Sequence, residues 1–182
     1  MENEAADYAH LDPSSDLVLY ASSPERGLVR AIKIMARVRR TRADMRLYVA
    51  TPGYHDAQFF LRRARRLFGE HVVELGHLSR PELFAAMRRA LCVLQPNSRF
   101  LESCGLVFAE ANVLGTPVLA TAIGAVPETV GDPDQLFDPA DARRAADRIL
   151  EWADGARPTV KANPDFEPTL VAERWEDLIT RT

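Results

Sequence analysis

The sequence predicts an α/β fold in which helices cover both faces of a doubly wound parallel sheet of about six strands. Short apolar runs alternate along the chain with longer segments whose apolar residues recur at helical spacing. The short runs are continuously apolar, as is typical of strands that are buried on both faces. With 182 residues, 47% of them apolar, the chain is long enough for one well-cored domain and short for two.

Six apolar runs are predicted to form the strands. The first, from Asp16 to Ala21, ends in the turn-forming sequence Ser-Ser-Pro, and the last, from Gln135 to Phe137, is brief. Between them lie the runs 45–50, 72–75, 91–94 and 117–121. Helix or turn signals separate these runs, so the chain is predicted to cross over between strands and to pair them in parallel.

The helical segments carry their own start and stop signals. Ser79 is the expected N-cap of a helix with Pro81 in its first turn, and Gly115 is expected to end the helix that begins near Gly105. Further helices are predicted at 28–38, 57–68, 127–130 and 141–152, with an amphipathic helix at 170–179. Residues 1–15 are polar and are interpreted as a tail or linker remnant, which leaves 16–182 as the domain.

Four loops are predicted to meet at one edge of this Rossmann-like sheet. They follow successive strands and comprise residues 22–27, 76–79, 96–105 and 121–127. Ligands of such sheets bind outside the carboxyl ends of the strands, near the point where the strand order reverses. We therefore expect these loops to line one cleft.

The most informative motif runs from Glu102 to Glu110. A helix that begins at Gly105 or Leu106 presents free amides and the positive end of its dipole, and the glycine leaves room for a phosphate there. Glu110 follows roughly 7 Å along the axis, where a carboxylate would accept hydrogen bonds from both hydroxyls of a ribose. The alternative interpretation is an ordinary loop glycine and a solvated helix carboxylate.

Composition and spacing argue against several classes of protein. A net charge of -3 and a pI near 5.8 give no electrostatic reason to expect nucleic acid as a partner, and the arginines of 62–66 fit a solvated helix face. The histidines are scattered and Asp132-Pro-Asp134 is typical of a turn, so no metal site is expected. The acidic N-terminus and strand-length apolar runs favour a cytoplasmic protein, with Cys92 and Cys104 reduced.

A longer pattern surrounds the two glutamates. It consists of Glu-x7-Glu with Gly-Leu inside it, then Gly115-Thr-Pro-Val, Gly124 and Pro127-Glu-Thr-Val130. This pattern resembles the donor-binding half of family 4 glycosyltransferases of the GT-B fold, and the segment from Tyr20 to Leu28 is similar to the first phosphate-contacting loop of that family. The resemblance extends from about residue 16 to 154 and implies one half of a GT-B fold.

The resemblance implies roles for residues that would contact the sugar, the ribose and the base. Glu102 would be the catalytic residue that lies over the transferred sugar and hydrogen-bonds its hydroxyls. Glu110 would hold the ribose. The backbone around His77 and Leu78 would contact the base.

The diphosphate would be bound by two further parts of the chain. Gly105 and Leu106 would offer their backbone amides, and Arg26 with Gly27 would come from the first loop. The family more often has lysine at the position of Arg26, and it usually has an additional arginine where this chain has Ser22-Ser23. The resemblance therefore implies either that an arginine from elsewhere substitutes or that the donor is held more weakly.

The family also implies a reaction and a partner. The expected reaction is a retaining transfer of a hexose from a nucleotide diphosphate sugar to an acceptor hydroxyl, without a metal or another cofactor. The chain would supply the donor-binding domain and would be inactive or weak without an N-terminal acceptor-binding domain. Any peripheral association with a membrane would occur only through that second domain. Two alternatives stay open: a stand-alone module that binds nucleotide sugars, and a nucleotide-sugar epimerase of the same architecture.

Overall fold

A computed structural model of the chain describes residues 5–51, 59–62, 66 and 69–181. The strands are β1 (Leu17–Ala21), β2 (Arg46–Ala50), β3 (Val72–Gly76), β4 (Cys92–Gln95), β5 (Val118–Thr121) and β6 (Leu136–Phe137). The helices are α1 (Leu28–Val38), α2 (Arg80–Arg89), α3 (Leu106–Val113), α4 (Val126–Val130), α5 (Ala142–Glu151) and α6 (Pro168–Thr180). Each strand coincides with a predicted apolar run, to within one residue at either end.

Within the described ranges, the six strands form one sheet in the order β3-β2-β1-β4-β5-β6, and every neighbouring pair is parallel. Leu19 of β1 pairs with Tyr48 of β2 on one side and with Val93 of β4 on the other. The strand order reverses between β1 and β4, where the chain leaves toward opposite faces of the sheet and a crevice opens. The predicted doubly wound, Rossmann-like sheet is confirmed.

The continuous apolar character of the strands follows from two cores, one on each face of the sheet. Val18 and Leu94 point into the core that α1 and α5 cover. Their neighbours Leu19 and Val93 point into the opposite core, which is covered by α2, α3 and α4. Because successive side chains of a strand alternate between faces, both kinds of position have to be apolar.

Local signals fix where the helices at the carboxyl edge begin and end. The backbone amide of Ser79 donates to Glu82 Oε2 at 2.8 Å and its hydroxyl donates to the same oxygen at 2.6 Å, as in a capping box. Gly105 precedes α3 with a φ of 70°, and Gly115 follows it with a φ of 71°. The start predicted at Ser79 and the stop predicted at Gly115 are confirmed.

The chain ahead of β1 lies against α2. The ring of Tyr8 meets Phe84 edge-on with centroids 5.9 Å apart, and the amide of Ser14 donates to the Arg89 carbonyl at 2.8 Å. These contacts involve residues that the sequence assigned to a tail or linker remnant. The division of the chain at residue 16 stays a prediction.

Two further predicted helices, at 57–68 and 170–179, differ in how far the structure describes them. The helix predicted at 57–68 falls partly outside the described ranges, although residues 59–62 and 66 are helical. α6 includes the predicted helix 170–179 and exposes Trp175, Leu178 and Ile179 to 60%, 60% and 67%. Across the described ranges, no helix is both long and apolar enough to cross a bilayer.

The turn between β1 and α1 depends on Gly27. Its φ of 117° is one that side chains rarely adopt, and a Cβ placed on it would lie 2.6 Å from the Pro96 carbonyl oxygen. Gly155 has a similar φ, 107°, but a Cβ there would meet none of the described atoms within 4 Å. The two glycines therefore separate backbone strain from steric overlap.

We predict that Gly155→Ala lowers the free energy of unfolding by about 1 to 2 kcal/mol through backbone strain. Gly27→Ala is expected to lower it by roughly 1 to 3 kcal/mol more, because the methyl group overlaps the Pro96 carbonyl. Urea denaturation of both variants measures the difference. Equal losses would show that the close approach to Pro96 contributes nothing.

Candidate functional site

The candidate site is a cleft of about 320 Å³ at the carboxyl edge of the sheet, beside the point where the strand order reverses. The loops after β1 and β4 form it together with the first turn of α3. Its lining includes Ser22, Arg26, Gln95, Glu102, Gly105 and Leu106. The structure thus brings together Arg26, Glu102, Gly105 and Leu106, which the sequence analysis assigned to one ligand.

The first loop is held in place by Tyr20 and by the close approach of Gly27 to Pro96. The Tyr20 hydroxyl donates to the Ser23 carbonyl at 2.6 Å, and the Arg26 amide donates to the same carbonyl at 3.0 Å. Burial raises the pKa of the Tyr20 phenol, which therefore stays a donor at any physiological pH. The loop thereby presents the Arg26 side chain to the cleft.

Arg26 and Glu102 form an ion pair across the cleft. Arg26 Nη1 donates to Glu102 Oε2 at 2.6 Å, and the side chains are 38% and 13% exposed. The pair joins two loops that are 76 residues apart in the sequence. A cation and a carboxylate therefore lie side by side at the mouth of one cleft, next to the N-terminus of a helix.

That helix is α3, whose first turn presents backbone amides to the cleft. Gly105 occupies the N-cap position without a side-chain cap, and the Phe108 amide donates back to the Gly105 carbonyl at 2.9 Å. A Cβ on Gly105 would lie 2.5 Å from Phe108 Cδ2, so glycine is required by packing as well as by its φ of 70°. The free amides of such a turn, together with the helix dipole, favour an anion.

The segment that begins α4 fixes Glu102 from the other side. The Ala125 amide donates to the Glu102 carbonyl at 2.8 Å, and a Cβ on Gly124 would lie 2.5 Å from that oxygen. The Thr129 hydroxyl donates to the carbonyls of Cys104 and Ala125. Gly124 and Thr129 belong to the pattern that the sequence analysis singled out, and their contacts show that both position the Glu102 loop.

Glu110 lies further along α3 and is paired with Arg80, the first residue of α2. Arg80 Nη1 donates to Glu110 Oε1 at 3.0 Å, and the guanidinium lies 4.6 Å from the centre of the Phe84 ring. The Glu110 side chain is 14% exposed and that of Arg80 is 52% exposed. Arg80 is not among the site residues predicted from the sequence, although the spacing of four residues to Phe84 is a signal for such a contact.

The residues predicted to contact a base lie in the loop between β3 and α2. His77 is exposed and Leu78 is partly buried against the core on the α2 side. The turn starts at Gly76, whose φ is 70°. The loop lies at the same carboxyl edge of the sheet as the cleft, and its role toward a base stays a prediction.

The remaining candidates for chemistry have structural partners. Asp132 accepts from the Asp134 amide at 2.9 Å and from Gln135 Nε2 at 3.3 Å, as the predicted turn requires. No cluster of three or more potential metal ligands occurs among residues that the structure describes. Cys92 and Cys104 are free thiols, the first buried and the second at the cleft.

Known proteins provide an independent comparison. The sequence profile of the family described as Glycosyl transferases group 1 matches residues 12–162. A D-inositol 3-phosphate glycosyltransferase from Pseudarthrobacter chlorophenolicus is 34% identical over 153 residues, covering 79% of this chain and 34% of that protein. A glycogen synthase from Mycobacterium tuberculosis is 34% identical over 108 residues, covering 58% of this chain and 25% of that protein.

The fold matches solved structures as well. The crystal structure of Anabaena HepE in complex with UDP and glucose superposes with a TM-score of 0.77 at 20% identity, covering 92% of this chain and 48% of that protein. The chain spans about a third of the length of the first curated relatives that it matches. The profile covers most of the chain, and the fold and the curated relatives agree with it. The chain therefore belongs to the glycosyl transferases group 1 family.

Proposed function

We propose that this chain is the donor-binding domain of a retaining, metal-independent glycosyltransferase that binds a nucleotide diphosphate sugar. The observation that carries the proposal is the Arg26–Glu102 ion pair beside the first turn of α3. This arrangement offers a cation and free amides for a diphosphate and a carboxylate for sugar hydroxyls. The complex of HepE with UDP and glucose supports the same class of ligand.

Ligand binding would exchange the partners of the ion pair. A diphosphate offers Arg26 more negative charge than Glu102 does, and the sugar next to it offers Glu102 hydroxyl donors. Both side chains keep a partner in this exchange. A ligand that contains only the diphosphate would leave Glu102 without a new partner, and one that contains only the sugar would leave Arg26 without one. The ion pair therefore favours a ligand in which a sugar is joined to a diphosphate.

In the proposed reaction, the bond between the anomeric carbon and the diphosphate oxygen breaks. A bond from that carbon to the acceptor oxygen forms on the same face, and the proton of the acceptor hydroxyl passes to the departing diphosphate oxygen. Negative charge grows on the departing diphosphate, where Arg26 and the α3 amides would stabilise it. Glu102 would hold the sugar during the transfer, and Glu110 would hold the ribose.

We further propose that catalysis needs an acceptor-binding domain that faces this cleft. Trp175 and Leu178, exposed on α6, support a partner surface, because the described residues leave more than half of each side chain uncovered. The curated relatives, which are about three to four times longer than the matched segment, are consistent with a second domain. Within this scheme the chain alone would bind the donor and transfer the sugar poorly.

Isothermal titration of the 182-residue chain with UDP, GDP, UDP-glucose and GDP-mannose tests the proposed function. We expect at least one nucleotide and its sugar to bind, without added metal. The absence of any heat of binding at millimolar ligand would refute the proposal.

We predict that Glu110→Ala weakens binding of both the free nucleotide and the nucleotide sugar, because the ribose is common to both. The expected loss is about 1.5 to 3 kcal/mol, or roughly 10- to 100-fold in Kd. Glu102→Ala should weaken binding of the nucleotide sugar more than binding of the free nucleotide, because only the sugar loses hydrogen bonds to this carboxylate, whereas the release of Arg26 from its ion pair acts on both ligands. Glu173→Ala on the exposed surface of α6 is the control. Equal losses for both ligands in both site variants would contradict these roles.

We also predict that the two thiols differ in reactivity toward a disulfide reagent such as DTNB. Burial raises the pKa of Cys92 to about 12, so its thiol stays protonated as the pH rises to 9 and reacts only after unfolding. Cys104 borders the cleft and should react in the folded protein, more slowly when nucleotide covers the first turn of α3. The variant Cys104→Ser should lose the fast phase. Labelling of Cys104 at an unchanged rate in saturating nucleotide would contradict the placement of the ligand.

A further inference from the structure

Gln95, the last residue of β4, is a buried polar residue at the floor of the cleft. It is 3% exposed and lines the cleft together with Arg26 and Glu102. Because side chains alternate along a strand, Gln95 projects to the same face of the sheet as Val93, which is the face that α3 covers. The side chain thus lies beneath the helix turn that presents its amides to the cleft.

The side-chain carbonyl oxygen of Gln95 has no hydrogen-bond partner within the part of the chain that the structure describes. Gln135 provides a direct contrast, because it is also buried, at 1% exposed, and both polar atoms of its side chain have a partner. Its Oε1 accepts from the Val118 amide at 2.7 Å and its Nε2 donates to Asp132 at 3.3 Å. The fold therefore satisfies one buried glutamine and leaves an acceptor of the other unused, beside the site where a ligand would bind.

An acceptor without a partner can be satisfied only by a ligand group that donates a hydrogen bond. A diphosphate presents only acceptor oxygens, so it gives nothing to a carbonyl. A sugar presents hydroxyl donors. Gln95 and Glu102 line the same cleft together with the start of α3, whereas Glu110, the residue assigned to the ribose, lies further along the helix.

We propose that Gln95 is a specificity-determining residue whose side-chain carbonyl accepts a hydrogen bond from a hydroxyl of the sugar carried by the donor. This inference rests on the proposed function. It adds a second acceptor to Glu102, so the sugar is held from the floor of the cleft as well as from its mouth. Discrimination between sugars would then depend on which hydroxyl reaches Gln95.

The test uses Gln95→Met, which keeps the length of the side chain and removes its polar atoms, with Gln135→Met as the matched control. In the absence of ligand, Gln95→Met should leave the urea midpoint unchanged or raise it, because the carbonyl that it removes has no partner among the described residues. Gln135→Met should lower the midpoint, because the Val118 amide loses its partner. Equal destabilisation by both substitutions would show that the Gln95 carbonyl is already satisfied, and would overturn the inference.

Titration of the same variants with nucleotides and nucleotide sugars provides the second readout. For Gln95→Met we expect the Kd of UDP-glucose or GDP-mannose, whichever the wild-type chain binds, to rise about 5- to 10-fold. The Kd of the corresponding free UDP or GDP should stay the same. A merely structural role of Gln95 would change both constants together.

Three results would count against the inference in distinguishable ways. An unchanged Kd for the nucleotide sugar, or an equal loss for sugar and free nucleotide, overturns the role of Gln95 and leaves the proposed function standing. A wild-type chain that binds none of the four ligands overturns the proposed function and this inference with it. Donor analogues that each lack one sugar hydroxyl should bind the wild-type chain more weakly than the intact donor. At the one position that contacts Gln95, this loss of affinity should disappear in Gln95→Met. A loss that persists in the variant at every position also overturns the assignment.

Discussion

The cleft depends on the close contact of two loop backbones at the point where the strand order reverses. Gly27 lies so close to the carbonyl of Pro96 that no side chain fits between them. The loops follow β1 and β4, which are neighbours in the sheet but lead to helices on opposite faces. Because the backbones touch, Arg26 from one loop reaches Glu102 from the other, and the cleft forms beside that pair.

The long loop after β4 keeps its shape through contacts along its whole length. Asn97 is buried, and its side chain donates to the Phe100 carbonyl at 2.6 Å. The Thr121 hydroxyl at the end of β5 donates to the Asn97 carbonyl. At the far end of the loop, the start of α4 holds the carbonyls of Glu102 and Cys104. A loop fixed by neighbouring strands and helices places its carboxylate before a ligand arrives, which reduces the entropy lost on binding.

Local signals in the sequence were sufficient to predict the sheet, whereas the resemblance to the family named Arg26, Glu102, Gly105 and Leu106 at the cleft. Continuous apolar runs locate the strands, and glycines at positive φ locate the turns. The pairing of each glutamate with an arginine could not be predicted from the sequence, since Arg26 and Glu102 are 76 residues apart and Arg80 and Glu110 are 30 residues apart. The unpaired side-chain carbonyl of Gln95 could not be predicted either. A polar residue at the end of a strand is common, and only the packed structure shows which of its atoms lack partners.

The charge of the cleft is affected by Ser22 and Ser23, which stand where the family usually has a second arginine. In the ligand-free protein Arg26 and Glu102 balance each other. In the proposed complex, Arg26 and the partial charge of about +0.5 at the start of α3 face a diphosphate with a negative charge on each phosphate group. Arg80 is already engaged by Glu110. The described part of the cleft therefore leaves part of the diphosphate charge unmatched, so under the proposed function a positive group from an acceptor-binding domain would strengthen donor binding.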